Sequence, residues 1–369
     1  MRHIQPPDRI FIWLVAGLTV FGLIVLMSAS GPLGYQQSGD SLMYLKKQLV
    51  QGILPGIAIF AIASFIDYRK LRWLAVPALV ATIVLLVLVY VPGIGLRLGG
   101  SSRWVSIGPI SFQPSEFVKV TFLIYVAAWL ASRHENDVKT LERGLIPFLA
   151  IMGVVMALLI KQPNTGSTMV IAGASLLTYF VAGAPWIWFV GLGGISASVV
   201  AILIKLTPYR AARFMTFMHP ELDPNGIGYH INQAYLAIGS GGLFGLGYGL
   251  SRQKYLYLPE VAGDSIFAVM AEELGLIVVV LFLVAIAALV WRCFEIAKRA
   301  PDPFGTYLVS GIAGWIALQS FFNVASMIGL MPMTGVTLPF VSYGSSSVVA
   351  IAAACGIVAS VSRQATQRL

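Results

Sequence analysis

The sequence predicts an all-α polytopic membrane protein with ten transmembrane helices and one long extracytoplasmic loop between the seventh and eighth. Three observations predict it. Hydrophobic residues make up 58 % of the 369 positions and charged ones 11 %, against about 25 % charged in soluble domains. The apolar residues fall in runs close to the ~20 that cross a bilayer. Lys and Arg collect at the ends of those runs, where such residues set orientation.

In order, the runs are 10–29, 49–66, 73–92, 114–132, 145–161, 165–183, 186–205, 265–291, 305–329 and 343–362. The first, from Ile10 to Ser28, is too long for a signal-peptide core and no clean cleavage site follows, so it is expected to stay. Pro114 suits the first turn of the fourth. Gln162-Pro163-Asn164 and Gly183-Ala184-Pro185 are breaker-rich joints that turn the chain around the sixth. Beyond the seventh comes the long loop, about 206–264. The eighth opens just after Asp264, and short joints connect the last two. The whole of 1–369 reads as one membrane domain.

With both termini inside, the inner segments carry 13 Lys and Arg and the outer ones 10, of which four lie in the long loop and Lys205 at its start. Long loops cross a membrane largely regardless of charge, so the short ones decide, and they favour N-in and C-in. The long loop then faces outward, away from ATP. The net charge of +9 implies no nucleic-acid partner, because the basic residues sit at span ends rather than in one patch. Cys293 and Cys355 read as neither disulfide partners nor zinc ligands.

Nearly sixty residues of loop exceed what a connection needs, and loops beyond ~15 residues without obvious secondary structure are functional or disordered. This one holds Phe214, Phe217, Tyr229, Tyr235, Phe244, Tyr248, Tyr255 and Tyr257, which argues for order. At its end stands Asp264. One reading makes it the N-cap of the eighth helix, accepting a first-turn amide. The other makes it a general base at the mouth of an outward cavity, its basicity raised by desolvation. Glu272 lies eight residues on, about 80° around and about 12 Å along a helix. An intramembrane carboxylate is a functional candidate or a helix–helix contact. Glu116 and Lys119 are i,i+3 neighbours. An ionisable group within a span costs roughly 2.5–3.5 kcal/mol on insertion scales, so Lys119 is expected to be paired and to face a cavity. Arg103, Arg210 and Arg213 are outer-side cations suited to a pyrophosphate or to lipid headgroups. Ser251-Arg252-Gln253-Lys254 matches a Ser-x-x-Lys motif but lacks a Lys-Thr-Gly partner. Gly245-Leu246-Gly247-Tyr248-Gly249 lacks a βαβ context for nucleotide.

Several strings go further. Arg103-Trp104 and Phe112-Gln113-Pro114-Ser115-Glu116-Phe117-Val118-Lys119 resemble the SEDS family (shape, elongation, division and sporulation). So do Gly228-Tyr229-His230-Ile231-Asn232-Gln233-Ala234, Ile238-Gly239-Ser240-Gly241-Gly242, and Gln253-Lys254 with Leu258-Pro259-Glu260 and the aspartate four residues later. Gly329-Leu330-Met331-Pro332-Met333-Thr334-Gly335 and Leu338-Pro339-Phe340-Val341-Ser342-Tyr343-Gly344 complete a match over nearly the whole chain. The resemblance leans to the division branch, with the elongation branch second.

The resemblance implies a bacterial peptidoglycan glycosyltransferase in the cytoplasmic membrane, polymerising lipid II with undecaprenyl-pyrophosphate-linked glycan as donor. It implies Asp264 as the catalytic base. Substrate contacts are expected from Arg103, Glu116, Lys119, Arg210, Arg213, His230, Gln233, Lys254, Glu272 and Ser342. A divalent cation, Mg or Mn, is an expected aid at the pyrophosphate, with no organic cofactor. Expected partners are a single-span class B penicillin-binding protein and other division proteins. A lipid II flippase and a non-catalytic division scaffold are the alternatives. The chain departs from the family at Asn164, where Asp is frequent, at Gly263 and Ser265 around the aspartate, and at Ser345, where Gly is usual.

Overall fold

The computed structural model describes residues 5–98, 101–108, 110–206, 208–219 and 226–365. The main helices are α1 (Arg9–Ser38), α2 (Met43–Phe65) and α3 (Ala75–Leu88). Strands β1 (Gly95–Leu98), β2 (Ser101–Ile107) and β3 (Ile110–Phe112) follow. Then come α4 (Pro114–Ala131), α5 (Leu141–Lys161), α6 (Thr165–Val181), α7 (Trp186–Leu206), α8 (Pro208–Met218), α9 (Ile227–Gly241), α10 (Ile266–Lys298), α11 (Pro303–Met327) and α12 (Ser345–Arg363).

Each expected span falls on a helix. Among the described residues, seven of them, α1, α2, α4, α5, α10, α11 and α12, are long and apolar enough to cross a membrane. The other three, α3, α6 and the start of α7, are shorter apolar helices. The chain is a multi-pass membrane protein. Helices α4, α11 and α12 form its centre, 72–78 % buried along their apolar windows, whereas α1, α2, α5 and α10 are 17–33 % buried. The outer helices turn Trp13, Ile57, Val84, Leu281 and Trp291 outward. In a soluble protein such a surface would aggregate; on a membrane protein it meets lipid.

Two parts are absent from the sequence expectation. The segment between α3 and α4 forms a small antiparallel sheet, β1–β2–β3, with Val105 opposite both Gly95 and Phe112. The 206–264 loop carries two helices, α8 and α9, and α9 packs on α10.

The first and last described residues lie at one end of the bundle. The Gln5 N–H donates to the Arg363 carbonyl at 3.0 Å, and Arg292 grips Asp8 through Nε at 3.0 Å and Nη2 at 2.6 Å. Asp302 accepts from the Tyr68 hydroxyl at 2.5 Å and Arg69 Nε at 2.8 Å. Gln364 joins Arg69 to Asp67. Burial opposes the charge on Asp302, but hydrogen bonds from Tyr68, the Gly305 N–H and Arg69 outweigh it and hold the carboxyl below its usual range. The sequence assigns all these segments to one side of the membrane, and the structure gathers them at one end of the bundle.

Helix α10 is broken. Gly275 takes φ 75°, ψ 174°, in the left-handed half of backbone space that glycine alone enters freely. The break separates a short helix, 266–274, from the long outer one. The backbone groups it frees find partners in the segment after α9. Leu246 and Gly247 N–H donate to the Glu272 and Glu273 carbonyls at 2.9 and 3.0 Å, while Leu276 and Ile277 N–H donate to the Gly242 and Leu243 carbonyls at 2.9 and 3.2 Å. Such pairing is what lets irregular backbone persist at membrane depth. It explains the glycine at 245 too: a Cβ there would collide with the Glu273 carbonyl.

Candidate active site

Asp264 stands at the end of a turn that two other parts of the chain hold. Within the turn, the Gly263 and Ser265 N–H groups donate to the Glu260 carbonyl at 2.9 and 3.2 Å. From the segment between α11 and α12, the Tyr343 N–H donates to the Ala262 carbonyl at 2.7 Å and the Ser342 hydroxyl donates to the Gly263 carbonyl at 2.8 Å. Ser342 Oγ also accepts the Leu338 N–H at 2.7 Å. From α11, Asn323 Nδ2 reaches the Asp264 carbonyl at 2.8 Å and the Val336 carbonyl at 2.7 Å. The Asp264 carboxylate lies against Gly335, where a Cβ would meet Oδ2 at 3.4 Å.

Asp264 is not the N-cap of α10. That position belongs to Ser265, whose side chain makes no capping bond. Ser265 Oγ instead meets His230 Nε2 of α9 at 2.6 Å. Burial pushes the His230 imidazole down to about 4, so the ring is neutral at pH 7 and offers a hydrogen bond rather than a cation. Gln233 stands one turn further along α9, half-buried.

Glu116 and Lys119 form an ion pair at 2.7 Å, with side chains only 7 % and 2 % exposed. Pro114 starts their helix at a position needing no N–H. Lys119 Nζ also donates to Gln319 Oε1 at 2.8 Å and lies 5.5 Å over the Trp315 ring. Trp315 donates to the same Gln319 oxygen at 2.6 Å, and Gln319 Nε2 donates to the Thr337 carbonyl at 2.9 Å. Glu116 Oε2 is buried with no hydrogen-bond partner among the described residues.

The structure therefore joins two of the expected groups. Asp264, His230 and Ser342 meet at one turn. Glu116 and Lys119 connect to it through α11, where Gln319 and Asn323 are one helical turn apart and grip the adjacent residues Thr337 and Val336. Glu272 and Lys254 belong to a different cluster. Glu272 accepts from the Ser251 hydroxyl at 2.5 Å and from the Arg252 and Gln253 N–H groups at 2.9 and 3.4 Å. Lys254 pairs with Glu273 at 2.7 Å. Arg103, on β2, donates to the Pro163 and Gln162 carbonyls at 2.5 and 3.4 Å. Arg210 and Arg213 lie on α8, and their side chains fall outside those described. Asn164 caps α6 through the Ser167 N–H at 3.3 Å and donates to Ser115 Oγ at 3.0 Å. No group of three or more His, Cys, Asp or Glu able to hold a metal occurs among the described residues.

A family model described as cell cycle protein, covering FtsW, RodA and SpoVE, matches residues 9–367. The chain belongs to the FtsW, RodA and SpoVE family. Stage V sporulation protein E of Bacillus subtilis (strain 168) is 39 % identical over 357 residues, 97 % of each chain. A probable peptidoglycan glycosyltransferase FtsW of Trichlorobacter lovleyi is 37 % identical over 355 residues, 96 % of this chain and 93 % of that one. Among solved structures, a chain from a peptidoglycan synthase complex, described for its coordination of polymerization and crosslinking, superposes with TM-score 0.80 at 29 % identity, covering 97 % of this chain and 98 % of that one. Crystalline RodA of Thermus thermophilus gives TM-score 0.71 at 28 % identity, with 98 % of each chain covered.

Two members of the site escape the sequence reading of this FtsW, RodA and SpoVE chain. Gln319 and Asn323 are amides spaced i,i+4 in an otherwise apolar span, and that spacing puts both on one face. A buried amide needs partners for its donors and acceptor, so the pair is a signal that polar groups face α11.

Proposed function

We propose that the chain is a peptidoglycan glycosyltransferase that polymerises lipid II at the outer face of the bacterial cytoplasmic membrane, for septal wall synthesis. One observation carries the reading to particular atoms: the Asp264 turn is clamped from α11 and from the 335–344 segment, in a chain whose relatives include proteins named peptidoglycan glycosyltransferase FtsW.

The acceptor is the 4-hydroxyl of the lipid II N-acetylglucosamine. Its oxygen attacks the anomeric carbon of the donor glycan. The bond from that carbon to the undecaprenyl pyrophosphate oxygen breaks, and its electron pair leaves with the pyrophosphate. The configuration inverts from α to β. Asp264 takes the hydroxyl proton as the new bond forms. Positive charge grows on the sugar and negative charge on the leaving group, so cations aimed at the pyrophosphate lower the barrier. Arg103, Arg210 and Arg213 are the proposed cations. Neutral His230 fixes Ser265 beside the base. A Mg or Mn ion would be held chiefly by pyrophosphate oxygens, as Mg is in phosphoryl sites.

The proposed orientation is N-in, C-in, with Asp264 facing outward. The proposed partner is a single-span class B penicillin-binding protein supplying cross-links, alongside other division proteins. The relative solved in a synthase complex supports such a partner. Purified protein incubated with lipid II in detergent tests the activity. Long glycan strands are expected. Transfer of lipid II across vesicles without polymer would replace this reading with a flippase.

A further inference from the structure

The short helix 266–274 that follows Asp264 is buried all round except at Leu274. It is cut from the rest of α10 by the break at Gly275, so the long outer helix cannot set its position. What holds its far end is a cluster that touches neither Asp264 nor the Glu116–Lys119 pair. Glu273 accepts from Lys254 Nζ at 2.7 Å, from the Ser28 hydroxyl at 2.7 and 2.8 Å, and from the Ser251 N–H at 3.3 Å. Lys254 Nζ also donates to Ser28 Oγ at 2.9 Å and the Gly249 carbonyl at 2.8 Å. Lys254 and Glu273 are 4 % and 3 % exposed. Beside them, Glu272 gathers Ser251, Arg252 and Gln253. At its near end the same helix is tied to His230 through Ser265. Both ends are thus fastened to one continuous stretch of chain, from α9 through residue 254.

We propose that Lys254 and Glu273, with Glu272, are positioning residues for Asp264: they pin the far end of its short helix to the strap 242–254, so that the strap and the base move as one body. The proposal rests on the polymerase reading above. It gives the glycine-rich strap a task. The strap closes the helix break through its backbone and locks it through one buried ion pair. A nine-residue helix spans about 13 Å, so a slip at the pinned end is delivered to Asp264 almost undiminished. Misplacing a catalytic group by about 1 Å can cost on the order of 100-fold in rate. Ground-state binding of lipid II needs no such accuracy.

The test is kinetic. Removing one partner alone strands a buried charge and threatens folding, so the decisive variant is the double Lys254→Met with Glu273→Gln, alongside Lys254→Arg. Each is purified in detergent, checked for a monodisperse folded peak and melting temperature, and assayed for polymer against lipid II concentration. The expected result is a folded double variant with kcat lowered at least about tenfold, KM within about twofold, and Lys254→Arg closer to wild type than the double. A folded double variant with wild-type kcat overturns the proposal. So does a loss of rate that only tracks the loss of folded protein. Absence of polymer from the wild-type chain overturns the polymerase reading itself, and this inference with it.

Discussion

Replacing Lys119 with Met tests the most deeply buried charge in the centre of the bundle. The substitution deletes the 2.7 Å ion pair to Glu116, the 2.8 Å hydrogen bond to Gln319 and the contact over Trp315. Glu116 Oε2 already lacks a described partner, so Oε1 would lose its cation and the carboxylate would stand alone in low dielectric. Breaking a buried pair from one side costs about 3–5 kcal/mol. With an unfolding entropy of about 2.1 cal/mol/K per residue over 369 residues, that is a fall in melting temperature of about 4–6 °C. Glu116→Gln alone leaves the ammonium stranded and is expected to fall similarly. The double change leaves no charge, keeps the 2.6 Å Trp315–Gln319 bond, and should recover most of the loss. The assay is a thermal melt in detergent followed by size-exclusion chromatography, with polymer formation measured on the same samples. Recovered folding without recovered activity is the expected outcome and supports the pair as part of the site. Recovery of both in the double variant would show the pair to be only a structural tie.

Asp264→Asn keeps the shape of the turn and, because Ser265 holds the cap position, leaves the helix start alone; polymer formation should drop by about 10²–10⁴ at an unchanged melting temperature, and near wild-type synthesis would place the base elsewhere. His230 sits near 4 in the folded chain, against an ordinary histidine value of 6.5. The unfolded chain therefore binds its proton first, and the His230 contribution should lower stability as pH drops from about 6.5 to 4, by up to roughly 3 kcal/mol. Melting curves of His230→Gln should lose that slope, and a slope equal to wild type would assign it to another group. Polymerase activity alone should be low and should rise on adding the cognate class B penicillin-binding protein, even with its transpeptidase serine mutated, as expected if binding shifts the site toward a competent state; equal rates with and without saturating partner in matched detergent would remove activation.

How much of this is legible in the sequence follows from the range of each interaction. Apolar runs and the Lys and Arg at their ends are local, so every expected span falls on a helix. The i,i+3 spacing of Glu116 and Lys119 is local as well, and the pair forms. Helices α8 and α9 carry an amphipathic helical period that a search for uniformly apolar runs passes over, and α9 is further held by packing on α10. The break at Gly275 is invisible because a lone glycine in an apolar run is tolerated within a helix. What decides it is the strap whose carbonyls and amides complete it. Asp264 reads as a cap from its position, but caps shift by a residue when a preceding turn closes, as this one does on Glu260. Gln319 and Asn323 find their partners 18 and 13 residues away in an irregular segment, and nothing in the spacing announces that.

The collar of polar contacts where both termini meet bears on what motion remains. Asp8 with Arg292, and Asp302 with Tyr68 and Arg69, stitch the two chain ends, the turn after α2 and the joint between α10 and α11 into one ring. Hydrogen bonds to charged groups contribute about 1.5–3 kcal/mol each, so opening that ring would take several such bonds at once. A carrier that hands a headgroup from one leaflet to the other must unbutton both of its ends in turn. A bundle tied in this way at one end is a poor conduit between leaflets.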